Sequence, residues 1–597
     1  MYQDAIKMSA YGEFRQGMDL NGITDKRIIV YGMRYIIDQL VSRVITEDHV
    51  DCAEMFYGTH GLGGTKYEYP KEMFDEIRKL GYFPVKIEAL PEGSVVLPHT
   101  PVFIVTSEEK FSRFCTFLET ILTMIWYPSC VATLSKHTKC LIEGSFERTA
   151  PGGKAHFLLN SRLHDFGFRG CTCVEQSVLG GSAHLLNFDG SDTMTACYHV
   201  QYHLNGGRHI GESIPATEHS VMTSFTEEIE SMKNLIEQYP GQVIACVMDS
   251  YNYDYALDVL LPKIKELIEE KKCIFVIRPD SGDPVVQVLK ALRAAVKAKF
   301  SQEIVTIESQ SYIVLKNVAV IQGDGINYGT VKDILEAVES AGFSAVNVAF
   351  GMGGGLLQKV NRDTLSFATK LSYVKFPDGN ERKVMKAPFG VESKQSLPGL
   401  MKVMKKAGDP ACCHRVFTEG AGLLAAKAGY SESMLVVYDN GKTNEKYMSE
   451  TFDEIRKRVC DEWDSCGVAI ATGITDPLDK SMVDEKKAVA DIISGNNGAY
   501  TTPSGHYHQA DANQSVLEKI SGKILERQAF VKQEINEREK VERVFENSMK
   551  LFKENFSQTL SLNLAQPTKS EYSNSDIEYP LMRLNALLDN LSSKLGK

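Results

Sequence analysis

The sequence predicts an α/β protein: a parallel barrel over residues 131–375, an α+β unit in which 1–130 joins 376–470, and a linker with a helical C-terminal extension over 471–597. Three observations carry that reading. Between roughly 155 and 360, short apolar runs stop abruptly at polar or glycine-rich turns, as in VIACVMDSYN, CIFVIRPDSGDP, VAVIQGDGIN and VNVAFGMGGG. Helix-forming stretches such as YALDVLLPKIKELIEEK and TVKDILEAVESAG alternate with them, and strands alternating with helices imply a parallel sheet. The polar turns recur at the strand ends, which is where an α/β barrel keeps its site.

Ahead of the barrel, RIIVYGMRYIIDQLVSRVI reads as a helix, Pro70 to Leu80 as a second, and PVKIEAL and GSVVLPHTPVFIVT as strands. The segment FSRFCTFLETILTMIWYPSCVATLSKHTKCLIEGSF is apolar at helical spacing and predicts one long helix, or two. After the barrel, KFPDGNERKVMKAPF, SMLVVYDNGKT and FDEIRKRV read as strands, a turn and a helix that can return to the first unit. From about 475 a polar linker, SGNNGAYTTPSGHYHQADANQ, leads to an amphipathic helix from Ser515 to about Phe556. Packing on its own protein or on an oligomer partner is the plain reading of that helix; a dedicated partner-binding role is the sharper one.

At 597 residues the chain has room for about two to four compact units. Its 43% apolar and 24% charged residues are those of a soluble globular protein and exclude a disordered or fibrous one. A net charge of -11 argues against a generic nucleic-acid surface, while a local basic pocket can still grip a small anion. Thirteen cysteines, an odd number with no Cys-x-x-Cys pair, favour neither a disulfide framework nor a zinc site. Cys171 with Cys173, and the run Cys412, Cys413, His414, read as packing or surface thiols. The N-terminal residues lack the apolar core of a signal peptide and no stretch approaches 18 uninterrupted apolar residues, so the expectation is a cytoplasmic protein without a membrane span.

In IRPDSGDP, Arg278 follows four apolar residues and should project from a strand end, where a guanidinium grips phosphate by two hydrogen bonds. Asp280 faces the same side of an extended chain and can accept from ribose hydroxyls; a simple pairing of Arg278 with Asp280 is the alternative. The stretch Gly351 to Lys359 follows a strand and offers bare backbone N–H groups to an anion. It is not a Walker loop, and GLGGTK at 61–66 fails the same test. Gly323, Asp324 and Arg362 complete a sugar-phosphate pocket. Upstream, LHDFGFRG, NFDGSDT and SIPATEHS supply Phe166, Arg169, Asp192, Glu218 and His219.

Taken in order, LHDFGFRG, FDGSDT, PATEHS, DSYN, IRPDSGDP, IQGDG and AFGMGGGLLQK with Asn361-Arg362-Asp363 resemble the nicotinamide phosphoribosyltransferase family. The likeness runs more thinly upstream through VYGMRYI and ALPEG and downstream to FDEIRKR. It implies the type II phosphoribosyltransferase fold, an irregular α/β barrel, in a cytoplasmic homodimer whose sites form where subunits meet. The implied reaction joins nicotinamide to 5-phosphoribosyl 1-pyrophosphate, yielding nicotinamide mononucleotide and pyrophosphate in NAD salvage. By position, Phe166 stacks on the pyridine ring and Asp192 binds the carboxamide. Arg169, His219 and Arg278 face the pyrophosphate side. Asp280, Gly323 and Asp324 hold the ribose, and Gly353, Gly354 and Arg362 the 5-phosphate. Arg15 contacts phosphate, and Lys370, Lys386 and Lys394 line the pyrophosphate or nucleotide channel. The matching histidine is phosphorylated by ATP, an activating cosubstrate.

Chemistry agrees with those roles. Displacing pyrophosphate builds positive charge on the sugar and negative charge on the leaving group, which calls for cations and Mg²⁺, with Asp249 and Asp280 as the nearest carboxylates. An ionised Asp192 accepts from an amide N–H and repels nicotinate. The family's Asp-Ser-Tyr-Lys segment, whose tyrosine covers the ring's second face, has no counterpart, and Tyr2 is a poor substitute by spacing. Two alternatives stand: a nicotinate or quinolinate phosphoribosyltransferase, and a catalytically weak relative acting as a binding scaffold.

Overall fold

A computed structural model of the chain describes residues 4–20, 25–68, 71–388, 394–406, 414–471 and 476–498. Met1–Gly498 form one compact unit and 499–597 a second. The amphipathic helix expected from Ser515, and Tyr2, Cys412 and Cys413, lie outside the described residues.

The apolar runs between 155 and 360 become parallel strands, in the spatial order Leu163–Asp165, Val348–Met352, Val318–Gln322, Ile274–Arg278 and Val243–Val247. Two short segments join the outer edges. Ala216 bridges Ala245, Gly190 bridges Glu212, and Ser191 bridges Asp165, each in parallel, so the sheet closes into a ring. The joints are thin: Thr217 N–H donates to the Ala245 carbonyl at 3.0 Å, Ser191 N–H to Glu212 at 2.9 Å, and Asp192 N–H to Asp165 at 3.0 Å. Five full strands and two fragments make the barrel irregular. Along each strand the residues alternate: Ile244, Phe275, Ile277 and Val320 enter the main core. Ala245, Val276, Ile321 and Ala349 gather in a separate cluster with Phe166, Ile214 and Ala319, filling the barrel interior.

The α+β part is a seven-stranded antiparallel sheet, ordered Glu381–Lys383, Ala368–Lys375, Lys7–Glu13, Pro101–Glu108, Lys86–Ala89, Leu435–Asp439, Lys442–Thr443. N-terminal and C-terminal segments thus share one sheet. Ala368–Lys375 falls inside the range read as barrel, yet it pairs along its whole length with Lys7–Glu13. Its run of apolar and β-branched residues suits either sheet, and only the long-range partner decides.

The buried helix Trp126–Thr149 links the segment 28–31 to the turn before the barrel strand Val348–Met352. Thr133 Oγ1 and Ser129 Oγ accept from the Ile29 and Tyr31 amides, while Thr149 Oγ1, near its other end, accepts from the Ala345 amide, all at 3.0 Å. Those bonds also explain a correction: Ile28–Ile29 form a short strand against Val95–Val96, and helix begins only at Met33. Gly32 makes the turn at φ 109°, where a Cβ would lie 2.4 Å from Pro128 Cγ. Among the described residues no single helix is long and apolar enough to cross a membrane.

Two further elements depart from the sequence reading. Gln302–Ile307 and Gln310–Leu315 form a hairpin, turned by Glu308 and Ser309 at positive φ without the usual glycine or asparagine. Residues 480–498, assigned to the linker and extension, form the helix Lys480–Gly498 of the first unit. Met482 is fully buried with Tyr11, Leu397, Met401 and Val416, so an apolar anchor outweighs the polar Ser-Gly-Asn-Asn end.

Candidate active site

Every group named for chemistry on the barrel follows the C-terminal end of a strand or bridging segment, so all open on one face. Phe166 leaves the Leu163–Asp165 strand with its N–H donating to the Met352 carbonyl at 3.1 Å. Gly351 and Gly323 make room for its ring: a Cβ on Gly351 would lie 2.1 Å from Phe166 Cε2, and one on Gly323 3.0 Å. The Arg278 guanidinium stands 5.5 Å from the ring centroid. Its Nη2 bonds Asp280 Oδ1 at 3.2 Å, and its Nε is buried without a partner. Arg278 and Asp280 do pair, as the plain alternative held, yet the pair sits at the mouth beside Phe166 with a donor unspent.

Asp280 is shared. Its Oδ2 lies 3.2 Å from His219 Nε2, and His219 Nδ1 lies 3.1 Å from Ser250 Oγ. Asp249 Oδ2 accepts from the Asp280 amide at 2.9 Å and from Ser281 Oγ at 2.6 Å, which fixes the loop. Its Oδ1 is buried, has no hydrogen-bond partner, and lies 3.8 Å from His219 Nε2. Asp249 is 3% exposed and His219 46%, so a fixed carboxylate backs an imidazole that reaches solvent. Burial, with the Asp249 charge beside it, pushes the Glu228 carboxyl up.

Asp192 caps the thin seam of the barrel. Its Oδ1 accepts from Ser213 Oγ at 2.7 Å and lies 3.5 Å from His164 Nδ1, whose ring is 6.3 Å from that of Phe166. His164 thus stands between the Asp192 carboxylate and the Phe166 ring. Directly beneath, Asp165 is fully buried, with Oδ1 accepting from the Gly167 amide at 2.7 Å. Burial pushes its carboxyl up to about 6, the Gly167 amide and Thr193 hydroxyl restraining the rise and Asp192 adding to it.

Asp165 therefore gives a stability prediction. Between the ordinary 3.8 and about 6 the folded state keeps a proton that the unfolded state has released, so stability falls as pH rises through that window. Asp165→Asn removes the penalty and is expected to stabilise by up to about 3 kcal/mol at pH 8, with a smaller gain at pH 5. Melting curves at the two pH values check it; an equal change at both would remove Asp165 ionisation as the cause.

The remaining candidates are spread more widely. Arg169 is exposed in the Phe168–Gly170 turn, and Asp324 is exposed, its carbonyl accepting from Gln322 Nε2 at 3.0 Å. Gly353 and Gly354 open the turn after Val348–Met352. Arg362 is half-exposed, donating to the Phe367 carbonyl and to Asp363. Arg15 bonds Glu13 at 2.8 Å, and its amide donates to the Leu365 carbonyl at 3.2 Å, which sets it on the Arg362 loop. Burial pulls the Lys370 amine below the usual lysine range; Glu119 opposes, and the Arg15 and Lys386 charges add to the lowering, so these three cations share one neighbourhood. Lys394 is exposed.

Sequence reasoning did not single out Ser213, Ser250, Ser281, His164 or Gln358. Ser250 and Ser281 directly follow the candidate carboxylates Asp249 and Asp280, which was the available signal; Ser213, His164 and Gln358 lie inside quoted motifs with no candidate carboxylate within two residues. Among the described residues no group of three or more His, Cys, Asp or Glu side chains could hold a metal by itself. Asp249 Oδ1, buried and without a hydrogen-bond partner, is an oxygen that could help to hold a Mg²⁺, which would supply charge neutralisation; both Asp280 oxygens are already engaged.

Residues 161–421 match the model of the nicotinate phosphoribosyltransferase (NAPRTase) family. The chain is 34% identical over 470 residues to a nicotinamide phosphoribosyltransferase of Xanthomonas campestris pv. campestris, covering 76% of this chain and 96% of that one. It is 29% identical to a nicotinamide phosphoribosyltransferase of Acinetobacter baylyi, covering 74% and 90%. The crystal structure of human nicotinic acid phosphoribosyltransferase superposes with a TM-score of 0.51 at 16% identity, covering 82% of this chain and 96% of that one, a likeness of fold. With the barrel, its mouth and these relatives in agreement, the chain belongs to the nicotinamide phosphoribosyltransferase family.

Proposed function

We propose that the chain is a pentosyltransferase that joins nicotinamide to 5-phosphoribosyl 1-pyrophosphate, making nicotinamide mononucleotide and pyrophosphate for NAD synthesis. The observation that carries it is the barrel mouth, where Phe166 offers an aromatic face between the Asp192 carboxylate and the Arg278 guanidinium. Phe166 stacks on the pyridine, and Asp192, held by Ser213, accepts from the carboxamide N–H. Arg278 and His219 meet the pyrophosphate, with Arg169 at the rim. Asp280, Gly323 and Asp324 face the ribose, while Gly353, Gly354 and Arg362 seat the 5-phosphate. Arg15, Lys370, Lys386 and Lys394 serve the leaving pyrophosphate or a nucleotide. Mg²⁺ supplies charge neutralisation on the pyrophosphate, with Asp249 oriented toward it.

A homodimer is part of the reading. The packed helices Val174–Leu185 and Met194–His199, next to the mouth, leave Val174, Met194 and Tyr198 at 55%, 77% and 63% exposure, with the Tyr202 ring tilted against that of Tyr198, centroids 5.0 Å apart. Such a patch suits a second copy. ATP enters as an activating cosubstrate: His219 combines solvent access with a fixed carboxylate on Nε2 and a hydroxyl on Nδ1, a setting for phosphorylation at nitrogen.

The test is mononucleotide formation from nicotinamide, with nicotinate in parallel, at fixed phosphoribosyl pyrophosphate and Mg²⁺, with and without ATP. Selective product from nicotinamide, stimulated by ATP, is expected. His219→Ala should lose the stimulation and keep some basal synthesis; equal stimulation in the variant removes His219 from that role. Product from nicotinate alone would favour the acid-using enzyme, and none from either base the scaffold.

A further inference from the structure

Gln358 ends the short helical turn Gly354–Leu357, and its side chain crosses to a different loop. Its Nε2 donates to the Gly167 carbonyl at 3.0 Å and lies 3.3 Å from Cys171 Sγ. The Cys171 thiol in turn points to the same Gly167 carbonyl at 3.5 Å. Amide, carbonyl and thiol thus close a ring of contacts. The carbonyl has no proton to give, so the NH₂ end of the amide must face it. The other end, Oε1, is buried without a hydrogen-bond partner. The fit is close: a Cβ on Gly170 would lie 2.8 Å from that Oε1, and one on Gly167 would lie 2.6 Å from Leu357 Cγ.

The contact joins two functional segments. Residues 166–171 carry the ring-stacking Phe166 and Arg169, and 353–358 are the glycine turn that seats phosphate and leads into Arg362. Beside the amide of Phe166 on the Met352 carbonyl and the packing of Leu357 on Gly167, Gln358 supplies a side-chain hydrogen bond between them.

We propose that Gln358 is a positioning residue that clamps the ring-binding loop to the phosphate-binding turn, so that filling the phosphate seat sets the pyridine seat. The inference rests on the transferase reading above and deepens it. An anion that orders the glycine turn fixes Gln358, Gln358 fixes the Gly167 carbonyl, and Phe166 stands one residue away. Coupling of this kind is reciprocal, so nicotinamide tightens phosphoribosyl pyrophosphate by the same factor.

The experiment uses the full chain in a Cys173→Ser background. Gln358→Met keeps the bulk and removes both hydrogen bonds; Gln358→Glu keeps the shape and turns the donor into an acceptor facing the Gly167 carbonyl. The expected result is a rise of about tenfold in the nicotinamide KM, larger for Glu, with kcat changed by less than about twofold. The fall of nicotinamide KM with rising phosphoribosyl pyrophosphate should flatten. Alkylation of Cys171 by a maleimide, read by mass spectrometry, should accelerate, and this needs no turnover. A nicotinamide KM that keeps its wild-type value and dependence, or a loss spread evenly over kcat and both KM values, overturns the proposal. If the wild type makes no mononucleotide, the transferase reading falls while the alkylation rate still decides the clamp. Should neither variant fold, Cys171→Ala removes one member of the ring and is expected to raise the nicotinamide KM about two- to threefold; no rise overturns the clamp.

Discussion

Arg278→Ala is expected to lower kcat/KM for mononucleotide formation by about 10³-fold, with Arg278→Lys restoring only part of it. Three losses combine. The guanidinium ends the Ile274–Arg278 strand, inside the five-stranded array, and so presents its charge from a rigid base, where a preorganised cation is worth most against the developing pyrophosphate charge. It lies over Phe166 at 5.5 Å, helping to hold the ring proposed to receive nicotinamide. It also bonds Asp280 Oδ1 at 3.2 Å, and without it that oxygen loses its partner in a loop already carrying the Asp249 carboxylate. Lysine returns the charge but neither the planar fork nor the stacking. Steady-state kinetics in both substrates, with melting curves as a folding control, check the result. A loss below about tenfold in kcat/KM would leave Arg278 as no more than the structural mate of Asp280.

Asp192→Asn is expected to change the ratio of nicotinamide to nicotinate use by about 10² to 10³, mostly through weaker nicotinamide turnover and partly through gained nicotinate turnover. Ser213 Oγ occupies Oδ1 at 2.7 Å, which in the proposed reaction leaves Oδ2 to accept the carboxamide N–H and to repel a carboxylate. An asparagine amide, turned about its χ2, offers a donor to the acid instead. Asp192 stays partly exposed at 40%, so the substitution should cost little stability. Competition between the two bases in one reaction measures the ratio directly; an unchanged ratio would place base selection elsewhere, with His164 the nearest candidate at 3.5 Å.

How far the sequence foretold this follows from what each signal depends on. The four runs ending in DSYN, RPDSGDP, QGDG and GMGGG became four neighbouring barrel strands because a parallel strand buried on both faces writes itself as a continuous apolar run. Arg278 and Asp280 were legible because the chain turns sharply there and names its turn residues, whereas the fit of Phe166 against Gly351 was not. The barrel's closing fragments were not: Gly190, Ser191, Glu212 and Ala216 make single bridges, and fragments that short carry no periodicity. The hairpin at Glu308 and Ser309 stayed hidden because its turn lacks the expected glycine, and Lys480–Gly498 because its polar end masked Met482. Side-chain geometry at long range, such as Gln358 on Gly167 across 191 positions, leaves no trace in spacing at all.

The single-bridge seam between Asp165 and Ala245 has a kinetic meaning. Continuous strands of the ring are held by ladders of bonds that open only together, whereas a seam of isolated bridges exchanges its amides through small, cheap fluctuations. Asp192 and His219 ride on that seam, while Arg278 and Phe166 ride on the continuous wall. Amides beside Asp192 and His219 should therefore exchange sooner than those of the Ile274–Arg278 strand, so the mouth is framed by two mechanically different parts of one barrel.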